Sequence, residues 1–322
     1  MDSKEELLHW ADEKEVVKSS RAIKLLFRLF GVLPGWMVRA LIYPVSFFYF
    51  VFSKRARDDT RLYQKNLREY TGGKIPAKLS SYRQILSFSL CVLEKMEGWL
   101  GNVSLDKIEF QYDDVIGLIN QLENFHGAVI IGSHLGNIEL LRSLSSWNRT
   151  KVSRSVPVTA IMELHSTEQF NRTLQEVNPG VGFNVVSPSD ISPETICTLI
   201  DNVEAGGLVV ITGDRTSARS RDRILKRKFL GKDAAFPYGC FLLPALIKAP
   251  VYFMFGMRER TSIFGPKYKM YVRKAEIDFD CPRTLREERI NSLCDEFVAQ
   301  LEKFCCMYPY QWYNFYNFWM MP

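Results

Sequence analysis

The segment Gly127-Ala-Val-Ile-Ile-Gly-Ser-His-Leu-Gly-Asn-Ile-Glu-Leu-Leu-Arg142 holds a histidine and a carboxylate, His134 and Glu139, close enough to act together. A β-branched run leads into His134, Gly136 and Asn137 follow, and an amphipathic stretch comes next, which predicts strand, turn and helix. On one continuous helix their five-position offset would turn the side chains through roughly 500° and separate them, so they converge only across a turn. Gly136 permits that turn, and Asn137 is a good N-cap. Glu139 then falls in the first helical turn, where the macrodipole favours its ionised form. A carboxylate holding one imidazole nitrogen leaves the other to take a proton from a hydroxyl or amine as that group attacks a thioester. No covalent enzyme intermediate is required. The bare spacing also fits a histidine satisfied by local hydrogen bonds at a helix start.

Two further segments point to the same place. Residues 193–215, PETICTLIDNVEAGGLVVITGDR, read as helix, Gly206-Gly207 stop and buried strand, with Asp214 and Arg215 at the strand's carboxyl end. Open parallel sheets bind ligands beyond the carboxyl ends of their strands, so these two are ligand-side candidates. Arg215, Arg219, Arg221, Arg223, Lys226, Arg227 and Lys228 follow with Asp222 as their one opposing charge. Such a run is either a solvated loop or a contact for a phosphate or an acidic carrier. It lacks the interleaved aromatics of a nucleic-acid surface. His165, beyond the strand that ends near Met162, either caps a surface helix or lines the same crevice. The oxyanion stabiliser is not visible in the sequence; a backbone amide near Gly136 is one candidate.

The elements that position these residues divide into two regions. Residues 1–105 read as a helical, membrane-associating region and residues 106–322 as an α/β domain. In the second, short apolar runs alternate with helical segments: Ala128–Ile131, Val156–Ile161, Phe183–Val186, Leu208–Ile211 and Val251–Phe255. Their nearly continuous hydrophobicity predicts a mostly parallel central sheet covered by helices on both faces. Lys267 to Ile277 alternates instead, which suggests a late edge strand. An amphipathic helix over Thr284–Phe304 leads to YPYQWYNFYNFW, a tail too apolar for water that must pack or touch lipid.

The 322 residues, 47% hydrophobic, suffice for one large α/β body, and a net charge of +6 favours an anionic surface or partner. Seven cysteines without a CxxC pair or histidine-linked spacing argue against a disulfide framework and for a reducing compartment. The acidic opening MDSKEELLHWADEKE is unlike a secretory signal, so the apolar stretch from Ile23 to Phe52 is expected to remain. Arg39, Pro34 and Pro44 interrupt it, and Lys54, Arg55 and Arg57 close it. These features favour an interfacial helical hairpin with snorkelling arginines over a span, with helices covering the domain core as the remaining reading.

In this order, the segments resemble the lysophospholipid acyltransferase (LPLAT) superfamily, and within it the late acyltransferases of bacterial lipid A biosynthesis. SHLGNIE is similar to the family's HxxxxE motif, written there as HFGNWE. EAGGLVVITGDR resembles its AGEVVGLLPDQ-type strand, FLGKDAAFPYGCFLLPALIKAPV its F-G-x-x-A-x-x-x-x-G segment, and Pro309-Tyr-Gln-Trp-Tyr313 its P-x-Q-W-x-W close. The resemblance covers residues from about Gly127 onward. It implies a glycerolipid acyltransferase-like fold and a transferase of lipid biosynthesis with His134 and Glu139 as the catalytic pair. It also implies an acyl carrier protein or coenzyme A thioester as donor, a lipid or glycolipid acceptor, no bound cofactor and no metal. Its expected place is the cytoplasmic face of the bacterial inner membrane, peripheral or monotopic. Asn137, Asp214, Arg215, Arg219, Arg172 and His165 are then expected on the substrate or donor side, with Arg172 or Arg215 serving the phosphate. Asp214-Arg215 replaces the family's Asp-Gln, and the tail lacks the basic residues of lipid A enzymes, which argues against a lipid A acceptor. The chain is also similar to acyltransferases associated with aryl-polyene and flexirubin pigment lipids.

Overall fold

The computed structural model describes residues 33–75, 79–99, 107–111, 114–137, 140, 152–162, 183–216, 223–260 and 265–320. Three helices come first: α1 (Gly35–Phe52), α2 (Lys54–Tyr70) and α3 (Ser81–Trp99). Ser53 divides the first two. Its extended backbone breaks the helical path, and its Oγ accepts the Ala56 N–H at 3.3 Å, capping α2. The body follows as β1 (Ile108–Gln111), α4 (Asp114–Glu123), β2 (Ala128–Gly132), β3 (Val158–Ile161), β4 (Phe183–Val186), α5 (Pro193–Glu204), β5 (Leu208–Thr212), β6 (Ile224–Phe229), β7 (Lys232–Pro237), α6 (Tyr238–Ile247), β8 (Val251–Arg260), β9 (Lys267–Lys274) and α7 (Arg286–Met307).

The main sheet has seven strands in the order β1-β9-β8-β2-β5-β3-β4, and every neighbouring pair is parallel except β8 with β9. The fold is therefore α/β with a mostly parallel sheet, as the continuous apolar runs predicted. The reason shows in β2: Val129 and Ile131 join a core built with α6 and α7, whereas Ala128 and Ile130 join a second core built with α4. Both faces are dry, so successive residues must both be apolar.

Two expectations about strands need correction. β9 is internal, because β1 pairs with it in parallel on the side away from β8, and the short β1 takes the edge. The cationic run is partly sheet: β6 forms an antiparallel hairpin with β7. There Leu225 and Phe229 turn inward while Lys226 and Lys228 face water. Charge had masked a two-residue alternation.

The helical region divides by face. Tyr63 and Leu67 of α2 enter the main core, and α3 is tied to β8 by the buried ion pair of Glu94 with Arg258. These two helices cover the core, whereas the core-covering reading of the sequence concerns the apolar stretch from Ile23 to Phe52. α1 differs: it is long and apolar enough, by length and composition, to cross a membrane, and only 17% of that window is buried. Trp36, Leu41, Val45, Phe47, Phe48 and Phe52 point outward, while Arg39 turns inward to a buried pair with Glu97 of α3. The first arm of the expected hairpin, residues 23–32, lies outside the described residues. The aromatic tail packs: the Trp312, Phe318 and Trp319 rings lie 5.1, 5.4 and 5.9 Å from Phe229.

Candidate active site

β2 and β5 are parallel neighbours with Gly132 opposite Thr212, and the Gly213 N–H to Gly132 C=O bond at 2.9 Å carries their ladder one step further. Two residues beyond each strand, His134 and Asp214 meet. The Asp214 carboxylate accepts the His134 backbone N–H at 3.0 and 2.9 Å, and its Oδ1 lies 2.8 Å from the ring Nδ1. The register of two strands thus places imidazole and carboxylate together at the carboxyl edge of the sheet.

The chain after α7 closes over this pair. Residues 309–314 form a strap in which Tyr313 N–H donates to His134 C=O at 2.9 Å and Gly136 N–H donates to Gln311 C=O at 2.8 Å. Trp312 Nε1 and Asn314 Nδ2 then donate to Asp214 Oδ2 at 3.2 and 3.3 Å. Gln311 anchors the strap, since its side-chain amide bonds both the N–H and the C=O of Arg258 at 2.9 and 2.8 Å. Asp214 has no exposed surface, and these donors replace the water it has lost.

Gly136 makes the turn after His134 with φ at +74°, and a Cβ there would lie 2.3 Å from Gly256 O. That closeness lets Asn137 N–H donate to Gly256 C=O at 2.7 Å, pinning the loop to β8.

Electrostatics set the protonation states. Burial and the nearby Arg215 push His134 down to about 4, although Asp214 pulls the other way. Burial works to raise Asp214, yet His134's charge and hydrogen bonds, with Arg215, hold it below the ordinary carboxylate range. At neutral pH the pair is a carboxylate beside a neutral imidazole, with the proton on Nδ1 in the bond to Asp214. Nε2 therefore keeps its lone pair, on a side chain that is 25% exposed.

Among the sequence-predicted residues, His134, Asp214 and Arg215 come together. Arg215 is braced by the strap, with Nε donating to Asn314 Oδ1 at 2.9 Å and Nη2 to Tyr313 C=O at 3.1 Å. Asn137 is buried at the turn. Glu139, His165, Arg172 and Arg219 lie outside the described residues. Asp214, expected on the donor side, is instead the partner of His134 Nδ1.

Of the backbone amides near Gly136 considered as an oxyanion donor, those of the described residues 135–137 are engaged, and residues 138 and 139 lie outside the described residues. The amides of Leu135, Gly136 and Asn137 are already given to Ser133 Oγ, Gln311 C=O and Gly256 C=O. Trp312 and Asn314 were not singled out as site residues; the P-Y-Q-W match was the signal that could have found Trp312. Among the described residues no cluster of His, Cys, Asp or Glu is arranged to hold a metal ion. The chain matches no protein-family model and no curated protein sequence.

Proposed function

We propose that this protein is an acyltransferase that moves an acyl group from an acyl carrier protein or coenzyme A thioester to a hydroxyl or amine of a lipid or glycolipid. The observation that carries this reading is the His134–Asp214 pair, a neutral imidazole with Nδ1 fixed and Nε2 unprotonated. Nε2 takes the acceptor proton as the acceptor oxygen or nitrogen bonds the thioester carbon. The C–S bond then breaks, and the leaving thiolate takes the proton back from His134, so the base is regenerated. Asp214 fixes the tautomer and stabilises the transient imidazolium. Glu139 is the proposed second carboxylate of the pair, and Arg215 with its cationic neighbours meets the donor's phosphate or acidic carrier.

The exposed apolar face of α1 supports a membrane-side location, and we place it at the cytoplasmic face of a bacterial inner membrane. Lipids would then arrive at the helical end of the molecule. Together these features fit the lysophospholipid acyltransferase superfamily that the sequence resembles.

The test incubates purified full-length protein in detergent with labelled acyl-carrier-protein and acyl-coenzyme A thioesters plus a bacterial lipid extract. Label entering a lipid, with His134→Ala reducing kcat about 10²–10⁴-fold while still folded, supports the assignment. Release of free fatty acid without any labelled lipid makes the same pair a thioester hydrolase. Equal transfer by native and variant chains removes His134 from the chemistry.

A further inference from the structure

An acyl transfer at His134 needs a group to meet the negative charge on the thioester carbonyl oxygen, and among the described residues the amides of Leu135, Gly136 and Asn137 are engaged by Ser133 Oγ and by the carbonyls of Gln311 and Gly256. Helix α3 offers a different donor. Over about two turns it presents one face to the site: Gln84 Nε2 donates to Trp312 C=O at 2.9 Å, the Phe88 ring lies 5.5 Å from that of Tyr313, and Cys91 Sγ lies 3.6 Å from Gly136 O. Positions 84, 88, 91 and 95 share a sector of about 60° on an α-helix. The residue that continues this face, one turn past the contact with Gly136, is Lys95.

The rotation of α3 is fixed independently. On its adjacent face Glu94 lies in a buried ion pair with Arg258 at 2.7 Å, and Arg258 Nη2 also donates to Ser87 C=O at 2.8 Å. Glu94 is thereby committed to Arg258, and Glu97 to Arg39, so neither nearby carboxylate of α3 neutralises Lys95. Lys95 is half-buried, and its charge is felt at the His134 ring, where it acts with Arg215 against protonation. Arg215 itself has Nε and Nη2 engaged by the strap.

We propose that Lys95 is the oxyanion-stabilising residue, its ammonium facing the carbonyl oxygen of the attacked thioester. This rests on the acyl-transfer reading above. As the acceptor bonds the carbonyl carbon, the C=O π pair moves onto oxygen beside the Lys95 ammonium. It returns when the C–S bond breaks, and no proton leaves Lys95.

The experiment compares native protein, Lys95→Met and Lys95→Arg in the acyl-transfer assay, with far-UV circular dichroism to confirm folding and NMR titration of the His134 imidazole. The expected result for Lys95→Met is a fall in kcat of about 10²–10³-fold, with KM changed less than about threefold. Lys95→Arg retains more activity, and the His134 pKa rises in Lys95→Met. An unchanged kcat, or a loss confined to KM, overturns the proposal, the latter by placing Lys95 on a ground-state anion. An unmoved His134 titration overturns it by showing that Lys95 faces elsewhere. Native protein without any transfer sinks the acyl-transfer reading together with this role, whereas native transfer with an unimpaired Lys95→Met sinks the Lys95 role alone.

Discussion

His134 and Asp214 are 80 residues apart in sequence and joined twice, through the backbone N–H and through ring Nδ1 at 2.8 Å. The double contact fixes the ring's position and its tautomer together, because the carboxylate that accepts the main-chain N–H can accept only a protonated Nδ1.

Replacing Asp214 should therefore leave a ring with no fixed tautomer. Asp214→Asn is expected to lower kcat about 10²–10⁴-fold, with a smaller effect on KM. Steady-state kinetics on folded protein checks this, and Glu139→Gln measured beside it reports whether the ring also needs a second carboxylate.

Acid should act on both activity and stability. The folded pKa of His134 is about 4, below its ordinary 6.5, so on acidification the unfolded chain takes up the proton first. Stability from this residue is whole above 6.5 and is lost between there and about 4. The Asp214 carboxyl, also lowered, adds a loss at still lower pH. The acid limb of kcat/KM is expected nearer 4 than 6.5, and urea midpoints should fall across the same interval.

The strap makes a separable contribution. Trp312→Phe removes one donor to Asp214 while keeping an aromatic ring in the core, so a kcat loss of about tenfold is expected with a stability cost near 1 kcal/mol. Trp312→Ala empties a fully buried site and should cost about 3–5 kcal/mol. Thermal melts alongside turnover distinguish the two.

Gly136→Ala places a methyl group against Gly256 O and forces alanine to positive φ. A destabilisation of about 1–3 kcal/mol is expected from the backbone strain alone. Because the displaced loop carries His134, activity should fall further than the melting temperature suggests.

The buried strands were legible because a sheet covered on both faces leaves continuous apolar runs, and Ala128–Ile131 and Leu208–Ile211 are such runs. His134 and Asp214 were each visible at a strand's end. Their pairing was not, since nothing local in either segment states that β2 and β5 are neighbours or that Gly132 lies opposite Thr212. Glu139 was legible as a partner for His134 because it is near in sequence, and it lies outside the described residues. The β6 strand escaped for another reason: its outward lysines gave it the composition of a loop. Asn314 carried no warning at all, because a lone asparagine in an aromatic tail becomes a hydrogen-bond bridge between Asp214 and Arg215 only when the tail folds back.

The strap also dictates an order of assembly. Every strand of the sheet precedes residues 309–314 in the chain, so a growing polypeptide can lay down β2, β5 and β8 while Asp214 still lacks its indole and amide donors. Contacts that span this much sequence close late in folding. The His134–Asp214 pair therefore gains its strap donors only after these strands are made, and a partly synthesised chain holds Asp214 without the indole and amide that meet its carboxylate.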